Sequence, residues 1–178
     1  MTEVDQPRDP DLLEYQIRDL GDDEVEIVKA TLLSALDWRP DRPLPYSREL
    51  LLAHPQVLRY YSGWGRVGDL GVVAESNGEV VGAALCRPFT EEDHGEGYVD
   101  PSTPELDIAV NKEHRGRGIG DRLLAALEAR ARLAGYRQMS LSVDRENPSA
   151  RLYRRAGYEV LSEDEDGYLM AKHLRSPG

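Results

Sequence analysis

Hydrophobic positions change period several times along the chain, and each change marks an element. Val25, Val28, Leu32, Leu33 and Leu36 recur at helical spacing behind Asp22, Asp23 and Glu24, acids that suit a helix N-terminus. Pro40, Pro43 and Pro45 stop that helix. Residues 47–61 predict a further helical stretch, broken or kinked at Pro55. A short strand is expected at 15–18, and strands at 70–75 and 79–85 are joined through Asn77-Gly78, a strong two-residue hairpin signal. Residues 89–104 show no periodicity and read as a long loop; loops of that length in compact domains are usually functional lids or disordered. A strand at 105–110 follows, then a glycine-rich turn and a helix striped by Ile119, Leu123, Leu127, Ala131 and Ala134 that ends at Gly135. Met139, Leu141 and Val143 alternate with serines and give another strand. Asn147 as N-cap with Pro148 behind it opens a short helix closed by Gly157. A terminal hairpin is expected from 158–162 and 168–174, turned at the acidic residues 163–167. The order predicts a mixed α/β sheet with crossover helices near its middle.

Length and composition narrow the class. At 178 residues one domain is the natural expectation, here 14–178, behind a solvated, acid- and proline-bearing arm at 1–13. One cysteine, Cys86, excludes an internal disulfide and fits a reducing compartment. No apolar run approaches a membrane span and no signal segment follows Met1, so a soluble, cytoplasmic protein is expected. The formal charge of −11 argues against a nonspecific nucleic-acid binder. That charge is uneven: residues 111–155 carry 11 Lys+Arg and 5 Asp+Glu, a local +6 inside a remainder of −17. A basic segment in an acidic molecule suggests a locally bound anion and a cationic second ligand; two solvated helix faces would also explain it.

Chemistry concentrates in two stretches. Arg115-Gly116-Arg117-Gly118-Ile119-Gly120 lies between a strand and a helix, where glycines admit close backbone approach and a helix N-terminus favours anions. It reads as a phosphate cradle but matches neither the Walker loop nor the Rossmann fingerprint. About 30 residues on, Asn147, Ala150, Tyr153, Gly157 and Tyr158 give N-x-x-A-x-x-Y-x-x-x-G-Y. Together the two stretches resemble the GNAT superfamily of acetyl-CoA-dependent N-acetyltransferases, whose R/Q-x-x-G-x-G/A signature is met by Arg115, Gly118 and Gly120. The resemblance covers about 105–160 closely and the element order from about 15 to 174. It implies a mostly antiparallel sheet with two splayed central parallel strands, 105–110 and 139–143, and flanking helices. It further implies acetyl-CoA as acyl donor, with Ile108, Ala109 and Val110 along the pantetheine arm. Amides of Arg115, Gly116, Arg117, Gly118, Ile119 and Gly120 would lie on the pyrophosphate, Asn147 near the pantetheine, and Tyr153 near the thioester sulfur. Each assignment has an ordinary competitor: Asn147 is also a good cap, Tyr153 a candidate packing residue, and the arginines candidates for a solvated face.

The implied reaction needs an unprotonated amine, and with a pKa near 10.4 only about one alkylamine in a thousand is neutral near pH 7.4. A base must take the proton. Glu105 and Asp107 share one face of the 105–110 strand and are the candidates, Glu105 slightly ahead for its reach. Arg151, Arg154 and Arg155 on the tyrosine's helix are candidates to lower its pKa. The four histidines show no paired metal spacing, so no metal is assigned. The expected activity is acetyl transfer to a primary amine by direct attack, on a small molecule or a protein N-terminus or lysine. The alternative is an acyl-CoA-binding sensor without turnover. No nucleic acid or membrane partner is expected, and a homodimer stays open.

Overall fold

The computed structural model describes residues 14–175, so the arm expected at 1–13 lies outside the described residues. The elements run β1 (Gln16–Asp19), α1 (Val25–Leu36), α2 (Arg48–Ala53), α3 (Pro55–Tyr61), β2 (Leu70–Ser76), β3 (Glu79–Arg87), β4 (Glu105–Val110), α4 (Ile119–Leu133), β5 (Gln138–Asp144), α5 (Ser149–Arg155), β6 (Glu159–Glu163) and β7 (Gly167–His173). This is the order the hydrophobic pattern predicts, with a 3-10 turn at Lys112–His114 added. The break expected at Pro55 is a complete one. His54 closes α2 and opens α3, its Nδ1 accepting from the Gln56 N–H.

The strands form one sheet in the order β1-β2-β3-β4-β5-β7-β6, antiparallel except for β4 beside β5. β2 and β3 meet through Asn77 and Gly78, both at positive φ, as the hairpin turn demands. Two apolar layers flank the sheet. One packs Leu106, Ile108, Met139 and Leu141 against α4 through Ile119, Leu123, Leu124 and Leu127. The other packs Val73, Ala83 and Leu85 against α1 and α3 through Val28, Leu32 and Val57. Because successive strand residues point to opposite faces, Leu106 and Ile108 join the first layer while Glu105 and Asp107 face the second. Two carboxyls therefore enter the region beneath α1 and α3. Among the described residues no helix is long and apolar enough to cross a membrane.

The central parallel pair is barely a pair. Among the described residues β4 and β5 share one register position, Glu105 opposite Ser140, with the Ser140 N–H on the Pro104 carbonyl at 3.1 Å. Beyond it the strands diverge. The Asn111 N–H donates to the Val81 carbonyl at 2.8 Å, so odd-numbered residues of this stretch spend their backbone groups on β3. The backbone groups of Leu106, Ile108 and Val110 then face the gap, as the splay implied by the family resemblance requires.

Candidate active site

The gap opens into a cavity of about 690 Å³ that runs from the glycine loop to the C-terminal end of α1. At one end Gly116 and Gly118 take left-handed conformations, φ +74° and +77°, and a side chain at either would meet no protein atom. Gly118 stands at the N-cap of α4, where it brings no side chain to satisfy the first-turn amides, and the first helical bond runs from the Arg122 N–H to its carbonyl. The N–H groups of Ile119, Gly120 and Asp121 are therefore open to an anion at the positive end of a 15-residue helix. The donor set and the open cradle fit a pyrophosphate.

Most of the residues named for the cofactor line this cavity: Ile108, Ala109, Val110, Arg115, Gly116, Gly118, Ile119, Gly120, Asn147 and Tyr153. Ile119 does so by backbone, its side chain being buried in the core. Arg117 is exposed and stands outside the lining. Arg115 is tied by its Nε to the Val110 carbonyl at 2.9 Å, so one acceptor facing the gap is used by the loop itself. Asn147 is at once cap and lining. Its Oδ1 accepts from the Ser149 N–H at 2.9 Å, although Pro148 occupies the cap position and the helix begins one residue later than expected.

The two carboxyls on β4 part company. Asp107 lines the cavity, half-buried, and burial with the neighbouring Glu105 raises its pKa from an ordinary 3.8 to about 8. Glu105 is buried behind it. Its Oε1 accepts from the Tyr60 hydroxyl at 2.5 Å and from the Gly97 N–H at 2.9 Å, while Oε2 is buried with no partner among the described residues. Burial raises the Glu105 pKa against the opposing pull of those two hydrogen bonds. The order expected from side-chain length thus meets a different geometry: the longer acid reaches past the cavity into a closed hydrogen-bonded pocket, and the shorter one remains at its wall.

That pocket is made by residues that the sequence pattern does not single out. The backbone on either side of Tyr60 is tied to Arg87, a fully buried side chain whose guanidinium donates to the Arg59 and Ser62 carbonyls at 2.9 Å and pairs with buried Asp69 at 2.7 Å. The 89–104 loop, expected as a lid, is stitched inward. Gly97 is buried, its carbonyl accepts from the buried Ser140 hydroxyl at 2.6 Å, and a Cβ there would lie 2.6 Å from Glu105 Cγ. The glycines at 95 and 97 are the available signal, since a long loop with alternating glycines allows such close backbone approach.

Tyr153 is buried on α5, edge-on to Tyr158 at 5.9 Å, and its ring borders the cavity. Burial, and then the charge of Asp107, push its pKa up. The arginine-driven lowering expected from the sequence is overturned. Arg154 lies over the Tyr168 ring at 5.0 Å and Arg155 pairs with Asp121 at 3.1 Å, so both are engaged elsewhere while desolvation dominates. Tyr153 remains a neutral hydroxyl, a hydrogen-bond donor and not a strong acid.

At the far end the lining is Leu32, Leu36, Trp38, Val57 and Tyr60, with Glu96, Ser142 and Asp144. Arg39 lies over the Trp38 ring at 4.4 Å and reaches across the chain to Asp144 at 3.3 Å and Glu146 at 2.7 Å. Among the described residues no group of three or more His, Cys, Asp or Glu is gathered to hold a metal, and Cys86 is buried with its thiol pKa raised by desolvation.

Known proteins with related sequences and folds bear on this cavity. The sequence model of the acetyltransferase (GNAT) family matches residues 33–158. The L-methionine sulfoximine/L-methionine sulfone acetyltransferase of Pseudomonas paraeruginosa is 37% identical over 96 residues, 52% of this chain and 51% of that protein. The amino-acid acetyltransferase of Ectopseudomonas mendocina is 32% identical over 90 residues, 51% of this chain and 18% of that protein. The matched region thus spans about half the length, or less, of these curated relatives. The PaiA N-acetyltransferase of Thermoplasma acidophilum, solved in complex with coenzyme A, superposes with a TM-score of 0.65 at 18% identity, covering 90% of this chain and 99% of that one, and so shares its fold. With a family match across more than two thirds of its length, a splayed central strand pair and the glycine cradle at its end, the chain belongs to the GNAT acetyltransferase family.

Proposed function

We propose that this protein transfers an acetyl group from acetyl-CoA to a primary amine. When bound, acetyl-CoA would supply an acetyl thioester whose carbonyl carbon an unprotonated amine attacks directly, the C–N bond forming as the C–S bond breaks and the thiolate leaves. The observation that carries the reading is the shared cavity. Open helix amides at Ile119–Asp121, a neutral Tyr153 hydroxyl and an Asp107 carboxyl of raised pKa line the same gap between β4 and β5.

Each group has a task suited to its chemistry. The open amides of α4 and the Arg115 guanidinium hold the pyrophosphate, while the edge of β4, through the Ile108 backbone and the Val110 N–H, accepts an extended arm as an added strand would. Asp107 takes the proton from the incoming ammonium. Against an alkylamine of pKa about 10.4, an ordinary aspartate near 3.9 is short by about 6.5 units. Asp107 at about 8 is short by only about 2.4, so burial removes most of that uphill step. Tyr153 donates to charge developing on the sulfur, and its raised pKa makes this a hydrogen bond without full proton transfer. Glu105, fixed by Tyr60 and Gly97, sustains the raised pKa of Asp107 by like-charge repulsion.

The test is thiol release from acetyl-CoA in the presence of a panel of primary amines, with mass spectrometry of the products. Release that requires an amine and yields the singly acetylated amine is expected. Acetyl-CoA binding without release across the panel would instead assign a sensor. The acidic remainder of the chain and the small amine-bearing substrates in the relatives' names support an amine acceptor.

A further inference from the structure

The far end of the cavity carries information about the acceptor that the acetyl-transfer reading does not use. Its walls are apolar and aromatic on the α1 side, through Leu32, Leu36 and Trp38, and acidic opposite, through Glu96 and Asp144, with Asp107 at the base. Arg39 lies over the Trp38 indole and is committed to Asp144 and Glu146, so it braces the wall and balances Asp144, while Glu96 has no ion-pair partner among the described residues. The cavity continues past Glu96, Ser142 and Asp144 into a groove of about 500 Å³ lined by Glu163, Asp164 and Asp166, where Arg145 pairs with Glu163 at 3.5 Å and the side chains of Asp164 and Asp166 have no ion-pair partner among the described residues. An ammonium is drawn along such a path, and a carboxylate next to the amine meets like charge on arrival.

We infer that the acceptor is an arylalkyl or similarly bulky apolar primary amine that bears no carboxylate beside its nitrogen. This rests on the acetyl-transfer reading and departs from the free amino-acid derivatives in the relatives' names. The ring packs against Trp38 and Leu36, a contact favoured by area and by the indole face. The nitrogen lies toward Asp107, and the anionic rim disfavours the amino acid of the same side chain.

Matched pairs test this directly: phenethylamine against phenylalanine, tyramine against tyrosine, tryptamine against tryptophan. Members of each pair differ in one carboxylate. The amine is expected to exceed its amino acid in kcat/KM by about 100-fold or more. Glu96→Arg should narrow that gap by about tenfold or more, and Trp38→Ala should raise KM for the aryl amines while leaving the thermal shift with acetyl-CoA intact. Equal or better turnover of the amino acids overturns the inference. So does turnover of only peptide or short aliphatic amines, although acetyl transfer then still stands. Absence of thiol release with every amine, with acetyl-CoA still bound, removes the acetyl-transfer reading and this inference with it.

Discussion

At one end of the cleft six consecutive residues, Arg115 to Gly120, present backbone; at the other, Tyr60 and Glu105, 45 residues apart, meet with Gly97 behind Asp107. The first region is exposed and lies at a helix end, so its amides act in partial solvent and owe their direction to local backbone geometry. The second is buried and made of side chains whose pKa values move because water has been excluded. Recognition of an anion tolerates solvent, since several amides share the work. Proton transfer near neutral pH does not, because an aspartate in water is too weak a base. The difference in construction suits the different tasks proposed for the two ends.

The largest expected effect is at the buried end. Wild-type activity should rise with pH through an inflection near pH 8 as Asp107 ionises, and Asp107→Asn should abolish that inflection and lower kcat/KM by about 10²–10⁴-fold. Glu105→Gln should instead shift that inflection downward, since the repulsion that raises it is gone. Loss of the inflection in Glu105→Gln but not in Asp107→Asn would exchange their roles. The same group links activity to stability. Its folded pKa, about 8, exceeds the ordinary 3.8, so the folded state binds the proton more tightly; that stabilisation is complete below pH 3.8 and lost as pH rises to about 8. Asp107→Asn should therefore gain in melting temperature relative to wild type at pH 8.5 compared with pH 5, as calorimetry at the two pH values would show.

Next comes the residue between the two ends. Tyr153→Phe should lower kcat about 100-fold with acetyl-CoA affinity changed only a few-fold, because the lost hydrogen bond strengthens in the transition state. Wild-type turnover in this variant would leave Tyr153 as packing against Tyr158.

The exposed end is best tested with its own control. Gly118 and Gly135 both hold positive φ, +77° and +94°, and a side chain at either meets no protein atom, so alanine at each costs a comparable ~1–2 kcal/mol of backbone strain. Only Gly118 faces the cradle. With acetyl-CoA at 100 times its dissociation constant, wild type and Gly135→Ala should both gain about 2.7 kcal/mol, and Gly118→Ala should lose most of that gain. An equal response in the two variants would detach the glycine loop from acetyl-CoA binding.

The smallest effect is expected from Arg39→Ala. Losing the stack on Trp38, about 0.5–1 kcal/mol at a partly exposed site, should raise the amine KM two- to fivefold, with no change in the acetyl-CoA thermal shift. A larger loss in kcat than in KM would place Arg39 nearer the reacting atoms than the geometry does.

The two regions also differ in how far the amino-acid sequence specifies them. Element order, the Asn77-Gly78 turn and the cradle at 115–120 follow from periodicity and glycine placement, which act over a few residues. The break at Pro55 is legible for the same reason, since proline forbids its own helical N–H bond. That Glu105 and Asp107 share a face follows from strand alternation alone. Which of them reaches the cavity does not. It depends on Tyr60 from α3 and Gly97 from the long loop closing over Glu105, contacts across 45 and 8 residues that no local pattern encodes. The Tyr153 pKa moves opposite to the direction its helix neighbours suggest, for a related reason. Sequence counts nearby charges, whereas burial sets the larger effect and Arg154 and Arg155 turn to Tyr168 and Asp121. The sequence by itself determined the glycine loop and the open amides at the start of α4, because their geometry is local. Only the tertiary structure decided which carboxyl stands at the cavity wall and in which direction the pKa values of Asp107 and Tyr153 move, because those depend on which distant side chains exclude water from them.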